Sequence, residues 1–230
     1  MSLVAILPTY NEAGNITAIV QELLALPLDI AVLVVDDHSP DGTYTIVEEM
    51  MKTHPRLHLL LRTENRGRGW AGIDGFKKAL DMGATHIVEL DADHSHPPRF
   101  IPAMFERIKT CDIVIGSRYV AGGKDDDRSA LRLIISALAR RYLSLVLGVT
   151  LADPTSGFRM FTRAALAKLL PHLHARDPFI VTEVIYFARK NNVSMAEIPI
   201  EFLARKTGTS KLGSSTLFKY LFRVLKLRFL

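Results

Sequence analysis

The chain has 230 residues, 48% of them hydrophobic and 23% charged. That composition suits one α/β domain with a buried core and excludes a disordered chain. A single cysteine, Cys111, excludes a disulfide framework and a cysteine-based zinc site. The net charge of +5 is unevenly spread. After Glu201 there is no acid, while Arg205, Lys206, Lys211, Lys219, Arg223, Lys226 and Arg228 are basic. These segments are rich in Leu and Phe and resemble no nucleic-acid module, so they fit anionic lipid or a phosphorylated substrate.

The opening MetSerLeuValAlaIleLeuProThrTyrAsnGlu lacks the basic, long apolar and small-residue regions of a signal peptide, which predicts an intracellular protein. Leu3–Leu7 reads as a strand stopped by Pro8. Ile16–Leu26 reads as a helix with Asn15 at its N-cap. Ile30–Val35 is a continuous apolar strand of the kind buried on both faces of a parallel sheet. It ends at Asp36-Asp37, and SerProAspGly at 39–42 is a turn. Thr43–Lys52 follows as a helix, Leu57–Leu61 as a strand and Gly72–Met82 as a helix. His86–Leu90 is a strand ending at Asp91, and Ile113–Ile115 another, ending at Gly116-Ser117-Arg118.

Such βαβα order implies a mainly parallel sheet flanked by helices. Ligands of these sheets bind beyond the carboxyl ends of the strands. ThrTyrAsnGlu, AspAspHisSer, AspAlaAsp and GlySerArg all follow strands, so the topology gathers them on one rim.

Asp91 and Asp93 alternate at a strand end, so both carboxylates can approach one cation. With diphosphate oxygens they would suit Mg²⁺ or Mn²⁺; the same residues could instead form a solvated, helix-capping turn. His94 and His96 also alternate, but Pro97-Pro98 follows and no other histidine cluster is evident, which disfavours zinc. Asp36-Asp37 could accept from a ribose or a base edge, or cap the next helix. The glycines of Asn65-Arg66-Gly67-Arg68-Gly69 permit close backbone approach. GxxxxGK[ST] and GxGxxG are both absent.

With these motifs in hand, the chain resembles the family 2 glycosyltransferases of GT-A fold, and among them the dolichol-phosphate (polyprenyl-phosphate) mannose synthases. Six stretches carry the likeness in order: LeuProThrTyrAsnGlu (7–12), ValValAspAspHisSerProAspGlyThr (34–43), AspAlaAspHisSerHisProPro (91–98), GlySerArgTyrValAlaGlyGly (116–123), AspProThrSerGlyPheArg (153–159) and GlyThrSerLysLeuGly (208–213). The resemblance implies one catalytic domain over 1–230. Residues 1–123 would bind the nucleotide sugar and 124–213 the acceptor, with 214–230 a basic amphipathic helix.

It further implies a sugar-nucleotide donor, GDP-mannose foremost, with Mg²⁺ or Mn²⁺ as cofactor and a polyprenyl phosphate as acceptor. Pro8, Tyr10, Glu12, Asp37 and Asp91 would hold the nucleotide; Asp91, Asp93 and Ser95 the metal; and Arg118, Arg132, Ser136, Arg205 and Lys211 the acceptor phosphate. Asp91, Asp93, Arg132 and Arg205 are the catalytic candidates. Where relatives commonly have Lys followed by LeuGlyLeuGlyThrAla, this chain has Asn65 followed by ArgGlyArgGlyTrpAla, which bears on base or sugar choice.

A lipid phosphate is already ionised near neutral pH and needs no strong base, only cationic positioning, which arginine forks supply. A hydroxyl acceptor would need a base, for which Asp153 and Glu183 are the candidates; Asp153 could instead order its loop through Thr155, Ser156 and Arg159. Rival readings are a soluble glycosyltransferase with a hydroxyl acceptor and a non-catalytic sugar-nucleotide-binding subunit.

No apolar run reaches the roughly 18 or more residues of a spanning helix. In Leu131–Val149 the polar residues Arg132, Ser136, Arg140 and Ser144 recur every four, and Leu217–Leu230 carries Lys219, Arg223 and Lys226 similarly. Basic amphipathic helices of this kind can lie in lipid headgroups, although apolar helix sides also serve as core. The expected location is therefore peripheral, on the cytoplasmic face of a membrane, with room for a membrane-anchoring partner protein.

Overall fold

The computed structural model describes residues 3–125, 130–203 and 214–229; within these, only the backbone is described for 130–135 and 214–218. The first half runs β1 (Leu3–Thr9), α1 (Ile16–Leu24), β2 (Ile30–Asp36), α2 (Thr43–Met51), β3 (Leu57–Leu61), α3 (Arg68–Asp81), β4 (His86–Glu89), α4 (Ile101–Arg107) and β5 (Ile113–Ser117). The second half adds β6 (Lys124–Asp125), α5 (Ala130–Leu147), β7 (Arg159–Thr162), α6 (Arg163–Leu169), α7 (Ile180–Lys190), β8 (Met195–Pro199), β9 (Glu201–Phe202) and α8 (Ser214–Leu227).

Seven strands form one sheet in the order β3-β2-β1-β4-β7-β5-β8. All neighbours are parallel except β7, which runs antiparallel to both β4 and β5. β6 and β9 make a separate two-stranded ribbon. Successive strand residues point to opposite faces, and β1 divides accordingly. Val4 and Ile6 pack with α3, α6 and α7 on one side, in a cluster that includes Phe76 of α3 and Phe161 of β7. Leu3, Ala5 and Leu7 pack with α1, α2 and α4 on the other. Every residue of β2 is buried, as a strand covered on both faces requires. Each large aliphatic side chain so enclosed contributes roughly 1.5–3 kcal/mol.

The sheet is mainly parallel, as expected, with one reversed strand, β7, which starts at Arg159 where the 153–159 motif ends. Two sequence expectations shift. Asn15 precedes α1 but does not cap it with its side chain; its amide donates instead to Glu12 Oε2 at 2.8 Å. α3 begins at Arg68, four residues before the expected Gly72. Gly69 and Gly72 weaken helix propensity, but tertiary packing needs the first of them. A Cβ on Gly69 would stand 2.0 Å from the Ala175 carbonyl oxygen.

The strand ends share a local device. Asn11, His38, Asn65 and His94, in the loops after β1, β2, β3 and β4, all have φ between 49° and 62°. Asn and His tolerate this left-handed region better than branched residues do. The first two loops are also tied together. The Asn11 amide donates to Ser39 Oγ, that of Glu12 to Thr43 Oγ1, and that of Ala13 to Asp41 Oδ2, at 3.0, 3.0 and 2.9 Å. Burial opposes ionisation of Asp41, yet the hydrogen bonds from Thr43 and Ala13 hold its carboxyl below the usual range.

Among the described residues no helix is long and apolar enough to cross a membrane. On α5 Leu143 and Leu147 are buried while Leu138 and Leu145 are 64% and 75% exposed. The expected polar stripe is half-buried at Ser136, Arg140 and Ser144 rather than solvated, and the Arg140 guanidinium stacks 3.5 Å from the Tyr119 ring centre. α8 is fastened by Val224 and Leu227, by a Tyr220–Thr182 hydroxyl contact of 2.8 Å, and by Arg223. That arginine pairs with Asp177 and lies over Phe179. The outer side of α8 carries Phe222 and Leu225, and Phe229 follows its end, all exposed.

Candidate active site

Beyond the carboxyl ends of β1 and β2 lies a cleft of about 500 Å³, bordered by Pro8, Thr9, Tyr10, Asp37, Arg66 and Arg68. The two acids after β2 do different work. Asp36 is fully buried. It accepts from the Thr9 hydroxyl, the Ser39 amide and the Ser39 hydroxyl at 2.8, 2.8 and 2.7 Å, so it locks the two loops together. Asp37 reaches the cleft. It pairs with Arg62 and accepts from the Gly67 amide at 2.6 Å. Arg62 in turn donates from Nε to Asp74 at 2.9 Å.

Tyr10 is 53% exposed and stands under the Arg66 guanidinium, 5.1 Å from the ring centre. An aromatic face with a cation above it, beside a carboxylate, can hold a nucleobase and ribose by stacking and hydrogen bonding. Of the five residues expected to hold the nucleotide, Pro8, Tyr10 and Asp37 border this cleft. The Glu12 carboxylate is directed instead to Asn15.

Arg68, the first residue of α3, carries the cleft to the next motif. Its Nη1 donates to Glu89 Oε1 at 2.8 Å and its Nη2 to Asp91 Oδ1 at 3.4 Å. Glu89 Oε2 accepts from Arg159 Nη2 at 2.7 Å. The β4–β7 register sets Glu89 directly opposite Arg159, and such cross-strand neighbours interact on one face. Glu89 and Arg159 are completely buried, and Arg159 Nη1 also donates to the Val181 carbonyl. Burial disfavours the charge on Glu89, but Arg68 and Arg159 outweigh it and hold the carboxyl below its ordinary value. Arg68 is likewise driven down by burial and up, more strongly, by Glu89 and Asp91. The sequence reading missed this Arg68–Glu89–Arg159 group. Its signal was the single charge in HisIleValGluLeu, an otherwise apolar strand.

Asp91 and Asp93 follow β4, both partly exposed. Asp93 Oδ1 accepts from the Ser95 amide at 3.1 Å and the Ser95 hydroxyl at 2.6 Å. Ser95, expected as a metal ligand, is fully buried and orients Asp93 through its hydroxyl. His94 and His96 diverge: His94 approaches Glu22 at 3.5 Å, and His96 is buried against Phe158 and Phe202. Burial lowers the His96 pKa, with Asp91 and Asp93 opposing.

Among the described residues no three His, Cys, Asp or Glu side chains form a cluster that could hold a metal. Asp91 and Asp93 do fit a hard cation that takes its remaining ligands from phosphate and water. The bare Gly157 Cα leaves a methyl-sized space beside Asp91, since a Cβ there would stand 3.7 Å from Asp91 Oδ2.

Arg118, expected at the acceptor phosphate, is buried and bound to Asp153: Nε to Oδ2 at 2.7 Å and Nη2 to Oδ1 at 2.8 Å. Burial works against both charges, but the pairing prevails, holding Asp153 below and Arg118 above their ordinary values. Asp153 also accepts from Thr155 at 3.1 Å, so it orders its loop. Glu183 Oε2 accepts from the amides of His174 and Ala175 at 2.9 and 2.7 Å, fixing the loop on which α3 packs. Both candidate bases are thus engaged. Ser136 lies half-buried on α5. Arg132 lies on the same helix with its side chain outside the described set, and Arg205 and Lys211 fall outside the described residues.

Comparison with known proteins adds an independent line. The model of Glycosyl transferase family 2 matches residues 4–170. The chain is 36% identical over 222 residues to a polyprenol monophosphomannose synthase of Mycolicibacterium smegmatis, covering 95% of this chain and 84% of that protein. It is 35% identical over 214 residues to an undecaprenyl-phosphate mannosyltransferase of Micrococcus luteus, covering 93% and 88%. A mannosyltransferase of Pyrobaculum calidifontis solved with GDP-Man and Mn²⁺ superposes with a TM-score of 0.63 at 22% identity, over 99% of this chain and 63% of that one. A glucosyl-3-phosphoglycerate synthase of Mycobacterium tuberculosis solved with Mn²⁺, UDP and phosphoglyceric acid gives 0.68 at 18%, over 98% and 76%. These two likenesses concern the fold.

Proposed function

The chain belongs to glycosyl transferase family 2, and from that premise we propose that it transfers a mannosyl unit from GDP-mannose to a polyprenyl monophosphate at a membrane surface. The reading rests on one observation above the others. Arg68 borders the cleft together with Tyr10 and Asp37 and also donates to Asp91 at 3.4 Å, so a nucleoside in the cleft would have its diphosphate directed toward the carboxylate pair. The two curated relatives, whose names specify mannosyl transfer to polyprenyl phosphates, support the same acceptor and sugar.

In this reading Tyr10 stacks the base and Asp37 accepts from the nucleoside, while Asp91 and Asp93, the latter oriented by Ser95, hold Mg²⁺ or Mn²⁺ against the diphosphate. The bound cation offsets charge on the leaving diphosphate as a Lewis acid. The acceptor phosphate attacks the anomeric carbon, forming the new C–O bond as the bond to the diphosphate breaks. Arg132, Arg205 and Lys211 are the proposed cations for that phosphate, with Ser136, four residues after Arg132 on α5, as a hydroxyl donor. Arg118 serves by ordering the Asp153 loop. The engagement of Asp153 and Glu183 favours an acceptor that needs no general base over a hydroxyl acceptor.

Residues 1–123 thus hold the donor and 124–213 the acceptor. The exposed Leu138, Leu145, Phe222, Leu225 and Phe229, with Lys226 and Arg228 nearby in sequence, form the proposed contact with the cytoplasmic face of a membrane. A membrane-anchoring partner could share it.

The test is incubation of the purified chain with GDP-mannose, undecaprenyl phosphate and Mg²⁺ or Mn²⁺, with the lipid product identified by mass. A gain of one hexose is expected. Transfer to a glycan hydroxyl with none to the lipid, or donor binding with no turnover on any acceptor, contradicts the reading.

A further inference from the structure

Arg68 stands between two carboxylates of different standing. On one side is Glu89, fully buried and bound at 2.8 Å; on the other is Asp91, whose side chain is 32% exposed and which Nη2 reaches at 3.4 Å. The buried end is the firmer. Gly72 leaves room for it, since a Cβ there would stand 3.2 Å from Glu89 Oε1 and 3.4 Å from Arg68 Nη1. The guanidinium therefore cannot withdraw far when a second cation approaches Asp91. Arg68 borders the cleft, and its Nη2 stands 4.0 Å from where a Cβ on Gly157 would lie.

We propose that Arg68 is a positioning residue that acts as a resident counter-cation for Asp91 and yields it to a divalent ion only as a nucleoside diphosphate enters, so that metal and nucleotide bind cooperatively. The inference rests on the metal reading of Asp91 and Asp93 given above. The physics is direct. A divalent ion arriving alone meets a fixed positive charge a few ångströms away in a partly desolvated site, where repulsion is poorly screened. A diphosphate brings negative charge that both cations can share, and Nη2, released from Asp91, can donate to a phosphate oxygen. Coupling of this kind is reciprocal: the factor by which nucleotide tightens metal is the factor by which metal tightens nucleotide.

Two variants separate the bridge from the charge. Arg68→Lys keeps a cation for Glu89, but an ammonium lacks the fork that spans both carboxylates; Arg68→Met removes the charge. Free Mn²⁺ is titrated by electron paramagnetic resonance against the full chain, alone and with saturating GDP or UDP, whichever binds. In the wild type, nucleotide is expected to tighten Mn²⁺ at least tenfold beyond the Mn²⁺ affinity of the nucleotide itself. Arg68→Met, which removes the charge, is expected to bind Mn²⁺ alone at least tenfold more tightly than the wild type; Arg68→Lys, which keeps the charge but no longer bridges to Asp91, is expected to gain about fivefold; and the nucleotide effect shrinks by the same factor in each.

A folded Arg68→Lys whose Mn²⁺ affinity stays within twofold of wild type in both states overturns the inference, and this variant decides if Arg68→Met does not fold. A wild type that takes up no Mn²⁺ even with nucleotide overturns the metal reading, and the inference with it.

Discussion

Replacing Glu89 by Gln probes the buried charge group beneath the rim. Glu89 joins two guanidinium groups, Arg68 at 2.8 Å and Arg159 at 2.7 Å. The amide keeps the volume but has one acceptor oxygen, and its NH₂ must face an arginine donor. Arg159 is wholly buried and would lose its compensating charge. Breaking a buried pair in this way costs about 3–5 kcal/mol. For a chain of this size each kcal/mol lowers Tm by about 2–4 °C, so a fall on the order of 10 °C is expected.

The variant also carries a pH signature. Because the Glu89 carboxyl is held below its ordinary value in the fold, its contribution is present above the unfolded carboxylate pKa and disappears as pH falls through the lower folded one. Urea unfolding at several pH values reads both effects. The gap between wild type and Glu89→Gln should be widest near neutrality and narrow as pH falls below about 4.3. A loss under 1 kcal/mol at pH 7, or a gap that does not vary with pH, would refute the assignment of Glu89 as the charged hub.

Tyr10 gives the opposite separation. Its exposure means that Tyr10→Ala should alter stability by no more than about 0.5 kcal/mol. Loss of a stacking face worth about 1–3 kcal/mol should nonetheless weaken GDP binding roughly 5- to 150-fold by calorimetry; unchanged affinity would place the base elsewhere. For the apolar outer side of α5 and α8, Leu145→Glu with Phe222→Glu should leave Tm nearly unchanged, since both side chains are over two-thirds exposed. The pair should reduce co-sedimentation with anionic vesicles at least fivefold, and undiminished sedimentation would argue that another surface meets the lipid.

Much of the frame is legible in the sequence because it rests on short-range chemistry. The apolar run at 30–35 becomes a fully buried strand, and the polar clusters after β1, β2 and β4 converge because parallel topology places strand ends on one rim. Pro8, Tyr10 and Asp37 are found at one cleft for that reason. What escapes is set by long-range pairing. The Glu89–Arg159 partnership spans 70 residues and depends on β7 running antiparallel, which no local pattern announces.

The roles of neighbours within a motif also depend on partners. Asp36 and Asp37 are adjacent and chemically identical, yet one locks loops while the other faces the cleft. Ser95 orients Asp93, and Arg118 is bound by Asp153, 35 residues on. The early start of α3 was hidden by Gly69, which local propensity counts against a helix and the Ala175 carbonyl demands.

The central claim is that one seat joins the nucleoside cleft to the Asp91–Asp93 pair. A crystal of the full chain grown with GDP and Mn²⁺, with the ion located by anomalous scattering, tests it most directly. The account predicts a Mn²⁺ peak within coordination distance of both aspartates and of the diphosphate, with the base against Tyr10. A peak at other residues, or a nucleotide bound with its diphosphate turned away from Asp91, would contradict it.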